Sequence, residues 1–154
     1  MTATNRRATR DDAAHISQVI AEVLTDPTPV GLDGALSPAE VEEWIARQGA
    51  YGAMFVAEEN GEVVGFSSID FDSGRAQECS IGAWVRPAHR RQGHASVLFE
   101  EALAFARDRG YRRVRGRLPE GNEPALSFLS SIGALVPIMS PGAHFEMPIY
   151  EVRP

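Results

Sequence analysis

Residues 90–96, Arg90-Arg91-Gln92-Gly93-His94-Ala95-Ser96, have the composition of an anion cradle. They follow Trp84 and Val85, which read as the end of a strand, and Pro87, which stops that strand. A long segment of helical apolar periodicity comes next. Successive backbone N–H groups in such a turn, backed by a helix N-terminus, form a concavity for phosphate oxygens. Gly93 removes a side chain where a ligand must come close, and Ala95 adds little bulk. Arg90 and Arg91 put positive charge at the mouth. His89 and His94 favour anions when protonated, while their neutral forms suit an ordinary exposed turn.

The elements around this loop follow from periodicity and turn chemistry. Residues 6–10 form a short edge strand, and Ile16, Val19, Ile20 and Val23 mark a helix from about Asp12 to Leu24. Thr25–Leu36 has two prolines and two glycines and reads as a loop. Ser37, Pro38 and Glu40 then give a cap, a first-turn proline and a capping box for a helix with Val41, Trp44 and Ile45 on its apolar stripe. Met54–Glu58 and Glu62–Phe71 flank Asn60-Gly61, a strong hairpin signal, and Gln77–Val85 completes an antiparallel meander, with a bulge or splay placed at Gly82-Ala83. The central helix runs from about Arg91 to Arg109 and stops at Gly110. Arg113–Leu118 is a strand, Glu123–Ile132 a short helix, and 135–139 and 145–152 two last strands.

The order β-α-α-β-β-β-α-β-α-β-β predicts an α/β (mixed α+β) fold in a single domain over 1–154. Its central sheet is mixed and mostly antiparallel, with six to seven strands and about four helices on both faces. The chain has 154 residues, 44% hydrophobic and 23% charged, enough for one real core. A formal net charge of -6 disfavours nucleic acid as main partner. Cys79 stands alone, so no internal disulfide framework forms, and four scattered histidines have no metal spacing; no metal is expected. No apolar run reaches membrane length, and the N-terminal segment has no signal-peptide core, which makes a cytoplasmic protein the default.

The central segment and the element order together resemble the GNAT family of N-acetyltransferases. Arg90, Gly93 and Ala95 match its Arg/Gln-x-x-Gly-x-Gly/Ala signature, and Val85, Arg86 and Pro87 match its lead-in. Asn122, Ala125, Phe128 and Gly133 hold the spacing of a second family feature. The resemblance implies a V-shaped splay between the strand ending at Val85 and the strand ending near Leu118, with acetyl-coenzyme A as cosubstrate in the gap. Its pyrophosphate would meet the backbone from about Arg91 to Ser96, around Gln92, Gly93, His94 and Ala95. Its pantetheine would pair with Ala83, Trp84 and Val85, and Asn122 and Phe128 would flank the cofactor. Arg90 and Arg91 are either phosphate contacts or common surface charge.

The resemblance also implies direct attack of an amine on the thioester in a ternary complex. The amine arrives protonated, so a group must accept a proton. A backbone N–H near Val85 would polarise the carbonyl. Family members often carry a glutamate five residues before the valine; here that position is Ser80, with Glu78 two residues earlier and on the same face if pairing is regular. Glu78 is the leading base, and Ser80 would orient a water. The tyrosine common after the second-motif phenylalanine is Leu129 here, so His144, Tyr150 and Cys79 are substitutes for the acid on chemistry alone.

The 25–36 loop, the 37–48 helix and the last two strands should frame the acceptor. Asp26, Asp33, Glu40, Glu43 and Trp44 suit a cationic amine or an ordinary solvated acidic face, and Arg75 and Glu146 are within reach of the cleft. A small-molecule amine is the expected partner, with no nucleic acid and no membrane; a homodimer stays open. The alternatives are a protein N-terminus or lysine as acceptor, or a non-catalytic acyl-coenzyme A sensor. A nucleic-acid module built on Arg112, Arg113, Arg115 and Arg117 is the weakest reading.

Overall fold

Capping chemistry sets the first helices. The computed structural model describes residues 3–26, 32, 34–71, 77–90, 92–116 and the backbone of 145–148. Helix α1, Ala13–Leu24, buries Ile16, Val19, Ile20 and Val23, the stripe expected from periodicity. Helix α2, Pro38–Gln48, starts on the Ser37 capping box: the Ser37 hydroxyl accepts from the Glu40 N–H (3.2 Å), and the Glu40 carboxylate accepts from the Ser37 N–H (3.0 Å). The first strand, β1, spans Ala3–Arg7 rather than 6–10. The shift has a local cause. Asp12 accepts from the Thr9 N–H at 2.8 Å and from Arg6 through both oxygens at 2.8 Å, which folds residues 10–12 into a 3-10 turn.

Strands β2 (Ala53–Glu59) and β3 (Glu62–Phe71) meet at Asn60-Gly61, where both residues have positive φ, 53° and 81°. Those values fit the two-residue hairpin turn its sequence announces. Strand β4 is Glu78–Val85, helix α3 is His94–Asp108, β5 is Arg113–Gly116 and β6 is Phe145–Pro148. Among the described residues, three α-helices and six strands form a mixed α/β fold with one open sheet, ordered β1-β2-β3-β4-β5-β6. Only the β4–β5 pair is parallel. Helix α3 starts at His94, three residues later than expected, because Gly93 takes a left-handed φ of 85° that a helix interior excludes. The expected helix 123–132, the strand 135–139 and the ends of the strands expected at 113–118 and 145–152 fall outside the described residues.

Of the bulge or splay expected at Gly82-Ala83, the bulge is absent against β3, while the described β4–β5 ladder stops just before it, at Ser80. The β3–β4 register runs unbroken from Gly65–Val85 to Phe71–Cys79, so Gly82-Ala83 is regular against β3. The irregularity lies between β2 and β3, where Ala57 faces Gly65 but Glu58 faces Val63. Regular pairing fixes the faces of β4. Cys79, Ile81, Ala83 and Val85 pack with α3, while Trp84 packs with α1 and α2. By alternation Glu78, Ser80 and Gly82 share the face of Trp84. No helix among the described residues is long and apolar enough to cross a membrane.

Candidate active site

The loop between β4 and α3 is built outward from three anchors. Arg86 is buried, accepts no water-facing role, and donates from Nε to Val63 O at 2.9 Å and from its guanidinium to Glu22 on α1. Arg90 donates to Val85 O (3.3 Å) and pairs with Asp26 just beyond α1. The guanidinium expected at the phosphate mouth therefore also ties the loop to the sheet and to α1, and Asp26 is matched by it rather than left for an acceptor. The third anchor was invisible in sequence. Glu59 at the end of β2 is buried, and one of its oxygens lies 3.2 Å from both His89 Nδ1 and His94 Nε2.

His94 is thus not the residue of an exposed turn. Its ring is 6% exposed and lies under the loop, where a carboxylate acceptor needs an N–H from it. Only its backbone is left for the helix start. Gln92, Gly93 and Ser96 are exposed, and Ala95 is half-buried against Leu98 and Val85. No side chain caps α3, and its first turn has no acidic residue. A Cβ placed on Gly93 would meet nothing within 4 Å, so glycine is required there by φ and not by crowding from the protein. The loop presents an uncapped, positive helix end with open space in front of Gly93. Arg91, Asn122 and Phe128 are outside the described residues.

The second part of the site is the end of the β4–β5 ladder among the described residues. Their pairing covers Glu78–Arg113, Cys79–Val114 and Ser80–Arg115, and β4 then continues to Val85 alongside β3. Ala83, Trp84 and Val85 thus lie on the stretch of β4 beyond that ladder and lead straight into the loop. Trp84 folds its indole over Gly82: a Cβ there would fall 2.2 Å from the ring. The same ring packs on Phe66 (centroids 5.0 Å apart), and Phe66 meets Trp44 of α2 edge-on at 6.2 Å. An aromatic row runs along this face of the sheet.

The candidate proton-transfer residues separate. Glu78 is half-buried at the closed end of the β4–β5 ladder, with Arg113 Nη1 3.7 Å from its carboxylate. Ser80 is exposed at the last paired position. Cys79 faces α3, fully buried, and burial pushes its thiol up to about 12, which removes it as a thiolate. His144 and Tyr150, with Leu129, Asp33 and Arg75, lie outside the described residues, and of Glu146 the structure gives only its backbone pairing with Arg115. No group of three metal-binding side chains occurs among the described residues.

A carboxylate that the sequence reading passed over is Asp70. On β3 it is the direct partner of Ser80. Its Oδ1 accepts from Trp44 Nε1 (2.8 Å) and Gln48 Nε2 (3.1 Å), both on α2. Burial raises its pKa above the usual carboxylate range, against the lowering effect of those hydrogen bonds. The available signal was register: Phe71 opposite Cys79 puts Asp70 beside Ser80.

The sequence matches the Acetyltransferase (GNAT) family over residues 18–134, most of the chain and all of this site except its last strand. The chain belongs to that family. It is 41% identical over 69 residues to N-acetyltransferase family 8 member 2 of Rattus norvegicus, a match covering 42% of this chain and 30% of that protein. Its fold is that of yncA from Salmonella typhimurium, solved with its cofactor acetyl-CoA (TM-score 0.82, 21% identity, 99% of this chain and 96% of that one). It is also that of a phosphinothricin acetyltransferase from Sinorhizobium meliloti in complex with AcCoA (TM-score 0.80, 18% identity, 97% and 89%).

Proposed function

We propose that this GNAT enzyme transfers the acetyl group of acetyl-coenzyme A to a primary amine of a small molecule, by direct attack in a ternary complex. The carrying observation is the uncapped start of α3 placed directly after β4, whose described pairing with β5 ends at Ser80. In this reading the N–H groups of Gln92, Gly93, His94, Ala95 and Ser96, with Arg91, receive the pyrophosphate. The backbone of Ala83, Trp84 and Val85 receives the pantetheine, and Asn122 and Phe128 flank it. Arg90 holds the loop in shape through Val85 and Asp26.

The acetyl group would then lie near Ser80, on the face shared with Trp84. Two of the acidic residues expected to greet the acceptor are already used: Asp26 by Arg90 and Glu40 by the capping box. The Sinorhizobium fold relative, named for phosphinothricin, supports a small acceptor.

The test is coenzyme A calorimetry together with acetyl-coenzyme A turnover over small amines, amino acids and peptides with free N-termini. Turnover confined to peptides would replace the small-molecule acceptor with a protein one. Tight coenzyme A binding without turnover on the whole panel would make the chain an acyl-coenzyme A sensor. All fifteen of its Lys/Arg residues are arginine, so acetyl-lysine formed in such assays cannot come from the enzyme's own side chains.

A further inference from the structure

We infer that Asp70 is the group that receives the acceptor's ammonium and takes its proton, with Trp44 and Gln48 as its positioning residues. The inference rests on the acetyltransferase reading above and names the acceptor-binding carboxylate within it.

The sheet register puts Asp70 next to the last described pair of the β4–β5 ladder. Asp70, Ser80 and Arg115 form one row across β3, β4 and β5. Partners in such a row are about 5 Å apart at Cα on the antiparallel side and share a face. Ser80 is exposed, so that face is open at this row, and Asp70 beside it is half-buried under α2. Trp44 closes the site from α2, and the aromatic row extends from it toward Trp84 and the loop. A half-buried carboxylate fixed from one side by an indole edge is a group that receives an organic ammonium.

Four other described carboxylates near the loop and the adjoining strands have basic partners. Glu22 pairs with Arg86, Asp26 with Arg90, Glu78 with Arg113, and Glu59 with two histidines. Asp70 is held differently. Its partners are an indole N–H, a carboxamide N–H and the Ser68 side chain, all neutral, which orient the group without neutralising it. Gln48 is itself fixed, donating also to Ala53 O (3.2 Å) and Ile69 O (3.4 Å), so the carboxylate is braced from α2, β2 and β3. Such bracing leaves an anion that an incoming ammonium can neutralise.

The charged surroundings are few. Arg47 on α2 acts on Asp70 through space, Glu78 and Arg113 occupy the adjoining row, and Arg115 lies across Ser80. Cys79 and Tyr111 are also coupled to Asp70 and stay neutral, since burial raises each to about 12. Burial also raises Asp70, which brings a carboxylate closer to the basicity a proton acceptor needs.

The step balances without another reagent. The ammonium gives one proton to the Asp70 carboxylate, and the nitrogen lone pair forms the N–C bond to the thioester carbonyl. The C–S bond breaks, the nitrogen loses its second proton, and the coenzyme A thiolate takes up one. Asp70 returns its proton to water as the next acceptor enters.

The protein has two tryptophans, so its indole N–H spectrum holds two signals, and Trp44→Phe assigns them. The test compares wild type, Asp70→Asn and Glu78→Gln, each with coenzyme A bound. Asparagine keeps an oxygen for Trp44 and Gln48, so the variant should fold, which the retained Trp44 indole signal reports. In the first arm 2-phenylethylamine, spermidine, alanine and an alanine-start peptide are titrated into each protein. At least one should shift the Trp44 signal of wild type and leave it in place in Asp70→Asn. In the second arm, Asp70→Asn should lower kcat/KM for that amine by about 100-fold or more, the usual scale of a lost proton acceptor, and erase the acidic limb of its pH profile. Coenzyme A affinity should stay within about threefold. Trp44→Phe should move that limb to higher pH, because a donor that favours the charged carboxylate is gone. An Asp70→Asn enzyme within threefold of wild type, or a limb abolished by Glu78→Gln instead, overturns the assignment. So does a Trp44 signal unmoved by every amine. A wild-type protein that fails to bind coenzyme A sinks the acetyltransferase reading instead, and the two failures are told apart by that measurement.

Discussion

Helices α2 and α3 begin in opposite ways, and the contrast separates structure from function in this chain. At α2 the Ser37 hydroxyl and the Glu40 carboxylate satisfy each other's backbone N–H groups, with Pro38 in the first turn. At α3 the N-cap is Gly93, which offers no side-chain cap, and the first turn holds no acidic residue. A helix start left without a partner costs stability unless water or a ligand completes it. The first helix has closed its own end; the second holds its end open, braced from below by Glu59, His89 and His94 and from behind by Arg86 and Arg90. The open end is fixed by hydrogen bonds and ion pairs around it, not by a cap.

The largest effect that would break this contrast is Gly93→Val. A β-branched residue at φ 85° costs roughly 1–2 kcal/mol in backbone strain and adds bulk toward the ligand. Coenzyme A affinity should fall tenfold or more by calorimetry; an unchanged Kd would end the phosphate-loop assignment. Ser37→Ala is the matched control. It should lower stability by about 1 kcal/mol in urea unfolding and leave coenzyme A binding alone.

Acid should loosen the start of α2. The Ser37 backbone and side-chain hydrogen bonds hold the Glu40 carboxylate below its usual range. Its contribution is therefore present above the unfolded-state pKa and is lost as pH falls through the folded one. Glu40→Gln should remove that part of the acid sensitivity, measured as the difference in Tm between neutral and acidic buffer. Asp70 has the opposite sign. Its raised pKa favours the native state at low pH and disfavours it as pH rises. Asp70→Asn should consequently have a Tm at neutral pH equal to or slightly above wild type, a site residue that costs stability. A marked drop in Tm would make Asp70 structural.

What the sequence could show was local. The Asn60-Gly61 turn needs two adjacent positive φ values, the Ser37–Glu40 box closes within one turn, and the stripe of α1 repeats at 3.6 residues; each is complete within a few positions. The same holds for the strand–turn–glycine–helix order that carries Gly93. Where a local contact was overlooked, as with Asp12 drawing in Thr9 and Arg6, the strand boundary came out wrong. The residues 117–144 bear the second family feature, and their part of the site stays a matter of resemblance.

The sequence by itself thus determined the family, the element order and the open helix start, because backbone dihedral preferences and side-chain periodicity act over one or two turns of chain. Tertiary structure decided which charged side chains remain for chemistry. Arg90 finds Asp26 across 64 residues, His94 finds Glu59 across 35, and Asp70 finds Trp44 across 26. Whether a carboxylate is matched by a cation or only steadied by neutral donors depends on what folding brings beside it, and at Gly93 and Asp70 that difference turns a common residue into a candidate for function.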